Sequence, residues 1–224
     1  MTIAISLKVN DGLVLAADSA STLVAATPQG QTQIINVYNN ANKVFNLRKG
    51  WPIGAITWGT GGIGFASIET LAKDLRRRFT GDDPNRLDWK LDAENYTVQH
   101  VAERFKEFFY DEMYTPAFRA WPQKPGIGFM VAGYSAGGSL AEEYEILIDQ
   151  SGCLGPRLFR QQAECGVYCN GQPEAVSRLL RGYGSKLPEL LARFLNLDAA
   201  AVASIVQLLQ QELAVQLVSP AMPI

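Results

Sequence analysis

Threonine at position 2 carries more potential chemistry than any other residue of this chain, because removal of Met1 would leave a hydroxyl and a free α-amine on one residue. Nucleophile and proton acceptor then arrive together, with no second side chain required. Sixteen residues later, Asp18 closes the apolar run Leu13-Val14-Leu15-Ala16-Ala17. A carboxylate at the end of such a run needs a cationic partner. The candidate is Lys43, which opens the strand-like stretch Lys43-Val44-Phe45-Asn46-Leu47. Each residue also has an ordinary reading. Threonine is common at position 2 because small residues permit Met removal, an aspartate can cap a turn, and a single lysine is usually a surface lysine.

These residues depend on the elements that would hold them. Ile3, Ile5, Leu7 and Val9 alternate with Ala4, Ser6, Lys8 and Asn10, the period of a half-buried strand. Asp11-Gly12 is a hairpin turn signal, and the apolar run after it predicts a return strand buried on both faces. A tight hairpin with near-equal arms sets Thr2 and Asp18 side by side. The polar stretch from Ala25 to Ala41 reads as a loop. Helices are predicted over Phe65 to Phe79, Val98 to Tyr114, Gln172 to Gly182 and Ala199 to Val218, with an acidic loop from Gly81 to Asn95 between the first two. Strands are predicted at Ile127 to Gly133 and Glu143 to Asp149, with a turn at Ser151-Gly152. Strands, two helices, then strands suit two antiparallel sheets covered by helices on both faces.

A rival nucleophile must be weighed. Gly133-Tyr134-Ser135-Ala136-Gly137 satisfies the G-x-S-x-G pattern of a serine α/β-hydrolase, but that enzyme needs a histidine after the serine. The single histidine, His100, precedes it and falls in a helical pattern. Ser135 therefore reads as a residue of a loop between two strands. Cys153, Cys165 and Cys169 are few and odd in number, which suits buried, inert thiols in a reducing compartment better than a disulfide framework or a metal site.

A length of 224 residues with 47% hydrophobic residues supports one good-sized core, hence a single domain over residues 1–224. The net charge of −2 gives no electrostatic footprint for nucleic acid. Arg76-Arg77-Arg78 is the one basic run, read as the solvated carboxyl end of a helix. No leader pattern and no span of membrane-crossing length is visible, so a cytoplasmic chain without a membrane partner is expected.

Thr2, the Asp-Gly turn with Val14-Leu15-Ala16-Ala17-Asp18-Ser19, Asn42-Lys43-Val44-Phe45 and the glycine-rich Trp58-Gly59-Thr60-Gly61-Gly62 together resemble the N-terminal half of proteasome β-type subunits and their bacterial HslV and Anbu-like relatives. The resemblance runs through residues 2 to 180, with its motifs concentrated before about residue 75. It implies a four-layer αββα sandwich of two antiparallel sheets, an α+β fold of the N-terminal nucleophile (Ntn) hydrolase type. It also implies a threonine-type endopeptidase without a cofactor. Thr2 Oγ would attack a peptide carbonyl while its amine, of ordinary pKa roughly 8, accepts the proton. Lys43 would lower the nucleophile's pKa, Asp18 would orient Lys43, and the Gly59 N–H would stabilise the oxyanion. Thr57 and Gly61 would line the pocket beside the scissile bond. The implied partners are a peptide or unfolded-protein substrate, further copies in a ring or helical stack, and an ATP-dependent unfoldase.

Two departures accompany the resemblance. Asn170-Gly171 stands where many of those proteins carry serine before glycine, and an asparagine cannot reproduce a hydroxyl's donor-acceptor role. The end of the chain, Ala221-Met222-Pro223-Ile224, shows no match to the family's final helix and strand pair. The expectation is a fold whose last strands are missing or replaced by helix. The alternative function is a non-catalytic ring or scaffold subunit, as the α-type relatives are.

Overall fold

The computed structural model of the chain describes residues 2–26, 32–172, 174–213 and 218–222. From the N-terminus, β1 (Ile3–Val9) and β2 (Gly12–Ala17) form the hairpin expected from Asp11-Gly12. β3 (Ser21–Ala26) and β4 (Thr32–Tyr38) pair with one another. β5 (Val44–Asn46) and β6 (Ile53–Gly59) follow, and the short strands β7 (Gly62–Ile63) and β8 (Ala66–Ser67) lead into α1 (Ile68–Thr80). After a 3₁₀ turn at Leu87–Trp89, α2 (Val98–Lys106) continues through a π-helical stretch, Glu107–Tyr114, into α3 (Thr115–Ala117). β9 (Ile127–Gly133), β10 (Glu142–Asp149), β11 (Gly152–Arg160) and β12 (Gly166–Gly171) come next. Three helices complete the described chain: α4 (Glu174–Arg181), α5 (Leu187–Leu195) and α6 (Ala199–Leu213).

The result is a mixed α+β fold with antiparallel sheets. The main sheets have the orders β12-β1-β2 and β11-β10-β9-β6-β5. α1 buries Ile68, Leu71, Ala72, Leu75 and Phe79, an i, i+3, i+4, i+7 stripe. The Ser67 hydroxyl accepts from Thr70 N–H at its start, and Gly81 in the left-handed region ends it. This stripe packs with Trp89, Phe105, Phe108 and Phe109 over Phe129, Val131 and Ile146 of the larger sheet. A second apolar cluster joins the two main sheets: Ala4, Leu13 and Leu15 from the smaller meet Ile56, Met130 and Ala132 from the larger.

β1 turns its faces opposite to the simplest hydrophobic reading. Ala4, Ser6 and Lys8 are buried, while Ile3, Ile5 and Leu7 are only half-buried. The polar residues are tolerated inside because each finds a partner. Ser6 Oγ bonds Glu143, to which Arg160 donates twice at 2.6 Å, and Lys8 Nζ donates to Gln161 O at 2.9 Å. Tyr168 donates to Glu145 at 2.6 Å, and Arg157 holds the same carboxylate.

Other expectations need correction. The stretch from Ala25 to Ala41 is not a plain loop: β3 and β4 make a two-stranded ribbon through Ser21–Tyr38 to Ala26–Thr32, favoured by the β-branched Thr22, Val24, Ile34, Ile35 and Val37. Residues 27–31 of that stretch lie outside the described residues. β2 is an edge strand of its sheet, with Val14 and Ala16 exposed, rather than a strand buried on both faces. The first helix starts at Ile68 rather than Phe65, because Gly64 and Phe65 form the turn between β7 and β8. Arg78 is not part of a solvated run: it lies over the Trp89 and Phe108 rings and pairs with Glu112 at 2.7 Å. The last helix is described to Leu213; residues 214–217 of the predicted span lie outside the described residues, and Val218 is not helical. No helix among the described residues is long and apolar enough to cross a membrane.

Candidate active site

Thr2 is held at its own carbonyl and through its neighbour Ile3. Its carbonyl accepts from Gln172 N–H at 2.7 Å, and on the other edge Ile3 N–H donates to Asp18 Oδ1 at 2.7 Å while Asp18 N–H donates back to Ile3 O at 3.1 Å. Gly171 has φ +83°, and a Cβ there would stand 2.1 Å from Thr2 O. Glycine is required both by that conformation and by that contact. Gly171→Ala should therefore dislodge Thr2, lowering any activity at least tenfold with little loss of helix signal; a variant as active as wild type would show that Thr2 need not be held.

Asp18 and Lys43 meet as the sequence predicts. Lys43 Nζ lies 2.9 and 3.0 Å from the two carboxylate oxygens and also donates to Ala20 O. The lysine side chain is 9% exposed and the aspartate 29%. Burial pushes the Asp18 carboxyl up, but the Ile3 N–H, the Lys43 ammonium and the Ala20 N–H outweigh it and hold the group below its usual range. Because the folded pKa is depressed, this carboxylate's contribution to stability is full above the unfolded value of about 3.9 and is lost as pH falls through the lower folded value. Melting temperature measured from pH 6 downward should be flatter in Asp18→Asn than in wild type; parallel curves would contradict the pairing.

Gly59 turns a main-chain donor toward the same place. Thr57 N–H donates to Lys43 O at 3.1 Å and Thr60 N–H to Gly126 O at 3.0 Å, on opposite edges of β6. Successive N–H groups of a strand alternate between edges, so Gly59 N–H faces the β5 side. β5 has by then ended, its last pair being Val44–Ile56. With φ +95°, and a hypothetical Cβ 2.5 Å from Gly126 O, position 59 accepts only glycine.

Thr2, Lys43, Thr57, Gly59 and Gly61 line one cleft of about 570 Å³. Thr2 is 8% exposed at its edge. Ser21, Thr22, Tyr38 and Asn40 also line the cleft, and α1 adds Glu69. The ribbon residues escape a loop reading; the alternation of Ile35 and Val37 with Asn36 and Tyr38 is the signal that could have revealed them.

The remaining candidates fall elsewhere. Ser135 Oγ donates to Glu142 at 2.6 Å and accepts from Val98 N–H at 3.0 Å, joining the β9–β10 loop to the start of α2. His100 is exposed on α2. Ser135→Ala should leave hydrolysis within a few-fold of wild type and cost about 1 kcal/mol of stability through lost hydrogen bonds; complete loss of activity in a folded variant would reverse the choice of nucleophile. The three cysteines are free and half-buried rather than fully buried, and burial pushes the Cys153 thiol up to about 11.

No protein-family model matches the chain, and no curated protein matches it either.

Proposed function

We propose that this chain is an N-terminal nucleophile hydrolase that cleaves peptide bonds with Thr2 once Met1 is removed, on an αββα sandwich of proteasome β-subunit type. The observation that carries the reading is the Lys43 ammonium, seated between both oxygens of Asp18 and lining the cleft with Thr2. Burying a lysine costs desolvation even when it is paired, and a positive charge in the same cleft as a hydroxyl has a use.

In this mechanism the Thr2 amine takes the Oγ proton as Oγ bonds the scissile carbonyl carbon, and the carbonyl π electrons move onto oxygen. The oxyanion sits against Gly59 N–H. Collapse breaks the C–N bond, and the ammonium gives its proton to the departing amine, leaving an ester on Thr2. A water then attacks that ester, the amine accepting its proton, and the carboxylic acid product leaves as Thr2 Oγ is reprotonated. Lys43 favours the partial negative charge on Oγ throughout, and Asp18 keeps Lys43 in place. No cofactor is needed.

Substrates in this reading are peptides or unfolded polypeptide entering an assembly of copies, ring or helical stack, fed by an ATP-dependent unfoldase. Exposed Leu179, Leu190, Phe194 and Leu195 on α4 and α5 are compatible with contacts between copies. The test is hydrolysis of fluorogenic peptides by protein whose Met1 is removed, with and without a β-lactone. Turnover that the lactone stops is expected. A processed, assembled protein that neither cleaves nor is acylated would favour a non-catalytic scaffold.

A further inference from the structure

No charged residue stands between Asp18 and Lys43, although 19% of the chain is charged. That uncharged stretch folds into the β3–β4 ribbon, which pairs with neither main sheet. Each of its strands keeps one edge of main-chain N–H and C=O groups outside any ladder among the described residues. Folded proteins blunt such edges with charges, lysine above all; this ribbon carries none. The register passes from Leu23–Asn36 to Val24–Ile34, which leaves Ile35 as the extra residue of a β-bulge. Bulges bend a strand and re-aim a side chain beside active sites. Ile35, Val37 and Tyr38 are 60, 46 and 54% exposed. The ribbon is rooted on the Asp18–Lys43 pair: Lys43 Nζ donates to Ala20 O, Asp18 Oδ2 accepts from Ala20 N–H at 3.0 Å, and Ala41 N–H donates to Ser19 O at 2.9 Å. Resting on the reading of Thr2 as an N-terminal nucleophile, we propose that the ribbon is a substrate arm, which takes an uncharged, apolar segment of unfolded polypeptide several residues away from the bond cleaved at Thr2.

Continuity with the cleft and the chemistry of the surface both point to this occupant. Tyr38 belongs to the ribbon and to the cleft lining at once. Ile35 lies three residues further along the strand, about 10 Å away, so a bound segment reaches it only if it continues past the residues held in the cleft. The anchored root fixes that distance relative to Thr2. A charged residue laid against Ile35 and Val37 would lose hydration and find no ion partner on the ribbon, whereas an apolar one gains by leaving water. Folded proteins keep their apolar stretches inside; an unfolded chain presents them in extended form, as the open strand edges require. The arm touches no reacting atom, so its contacts are equal in ground and transition states and lower KM without raising kcat.

The test uses protein with Met1 removed and two internally quenched peptides that share one cleaved tetrapeptide. One is the tetrapeptide alone; the other extends it at both ends by about six uncharged residues that include valine and leucine. The long peptide should have a KM about tenfold lower, the scale of partly burying two aliphatic side chains. Ile35→Thr combined with Val37→Thr keeps the β-branching that suits a strand. It should remove most of that difference, while kcat and the KM of the tetrapeptide change less than twofold. Ile35→Lys should lower KM for a long peptide whose extensions carry glutamate, a gain that a damaged ribbon would not give. Equal KM for long and short peptides in wild type, or a difference that survives the double variant, overturns the arm and leaves the hydrolase. If wild type cleaves neither peptide, fluorescence anisotropy of the labelled long peptide decides: binding that the double variant weakens about tenfold keeps the arm while the hydrolase reading fails, and binding it leaves unchanged sinks both. A double variant that loses both peptides equally, and whose assembly of copies falls apart by light scattering, assigns the ribbon to a contact between copies and overturns the proposal.

Discussion

Thr2→Ala should reduce peptide cleavage on the order of 10⁵- to 10⁶-fold, the scale on which removal of a catalytic nucleophile acts. The fold should survive this change. Thr2 ends a strand at the cleft edge, its main-chain bond to Gln172 does not involve the side chain, and the removed atoms leave space that opens on solvent. The expected change in stability is about 1 kcal/mol or less. Thr2→Ser should retain part of the activity, since it keeps hydroxyl and amine and loses only a methyl group. Circular dichroism and thermal melting, run beside the peptide assay, distinguish a dead but folded enzyme from an unfolded chain. Cleavage by folded Thr2→Ala at more than a hundredth of the wild-type rate would place the nucleophile elsewhere.

Lys43→Met should lower kcat by about 10²- to 10⁴-fold, the range expected for a group that assists proton transfer at the reacting hydroxyl. Methionine keeps the apolar stem and removes the charge. The same variant strips Asp18 of its cation while leaving the N–H donors of Ile3 and Ala20 in place. Breaking a fully buried pair costs about 3–5 kcal/mol. Asp18 is 29% exposed, so water and those two donors offset much of the loss, and a destabilisation of about 1–2 kcal/mol is expected. The burden should fall on kcat more than on KM, because Lys43 acts on charge that develops at Oγ. A Lys43→Met enzyme with unchanged kcat would reduce the Lys43–Asp18 pair to a structural tie.

The parts of this molecule that were legible in the sequence are those where local pattern and tertiary demand agree. Asp11-Gly12 fixes a short turn, the turn fixes the register of two near-equal strands, and that register brings Asp18 back to Thr2. Lys43 could be paired with Asp18 because a carboxylate ending an apolar run has few ways of being satisfied. Strands β9 and β10 and the body of α1 were legible for the same reason. β1 misled because its alternation carries apolar residues on one face and polar ones on the other, and the fold buries the polar face. The partners Glu143, Arg160 and Gln161, all distant in sequence, make that possible. The β3–β4 ribbon was hidden by its polar composition, since a two-stranded ribbon can be exposed and need not show a buried face. The clamp on Thr2 by Gly171 and Gln172 depends on pairing across about 170 residues of chain, which no local spacing records.

Mapping of a peptide epoxyketone adduct tests the central claim most directly. The warhead closes a six-membered ring only with a hydroxyl and a primary amine on one residue, so the adduct reports both groups of Thr2 together. After incubation of protein lacking Met1, intact mass and peptide sequencing should place one inhibitor on the fragment beginning at Thr2, and Asp18→Asn and Lys43→Met should slow its formation. An adduct on any other residue, or none on a protein whose N-terminus is shown to be free Thr2, would contradict the assignment of Thr2 as nucleophile and base.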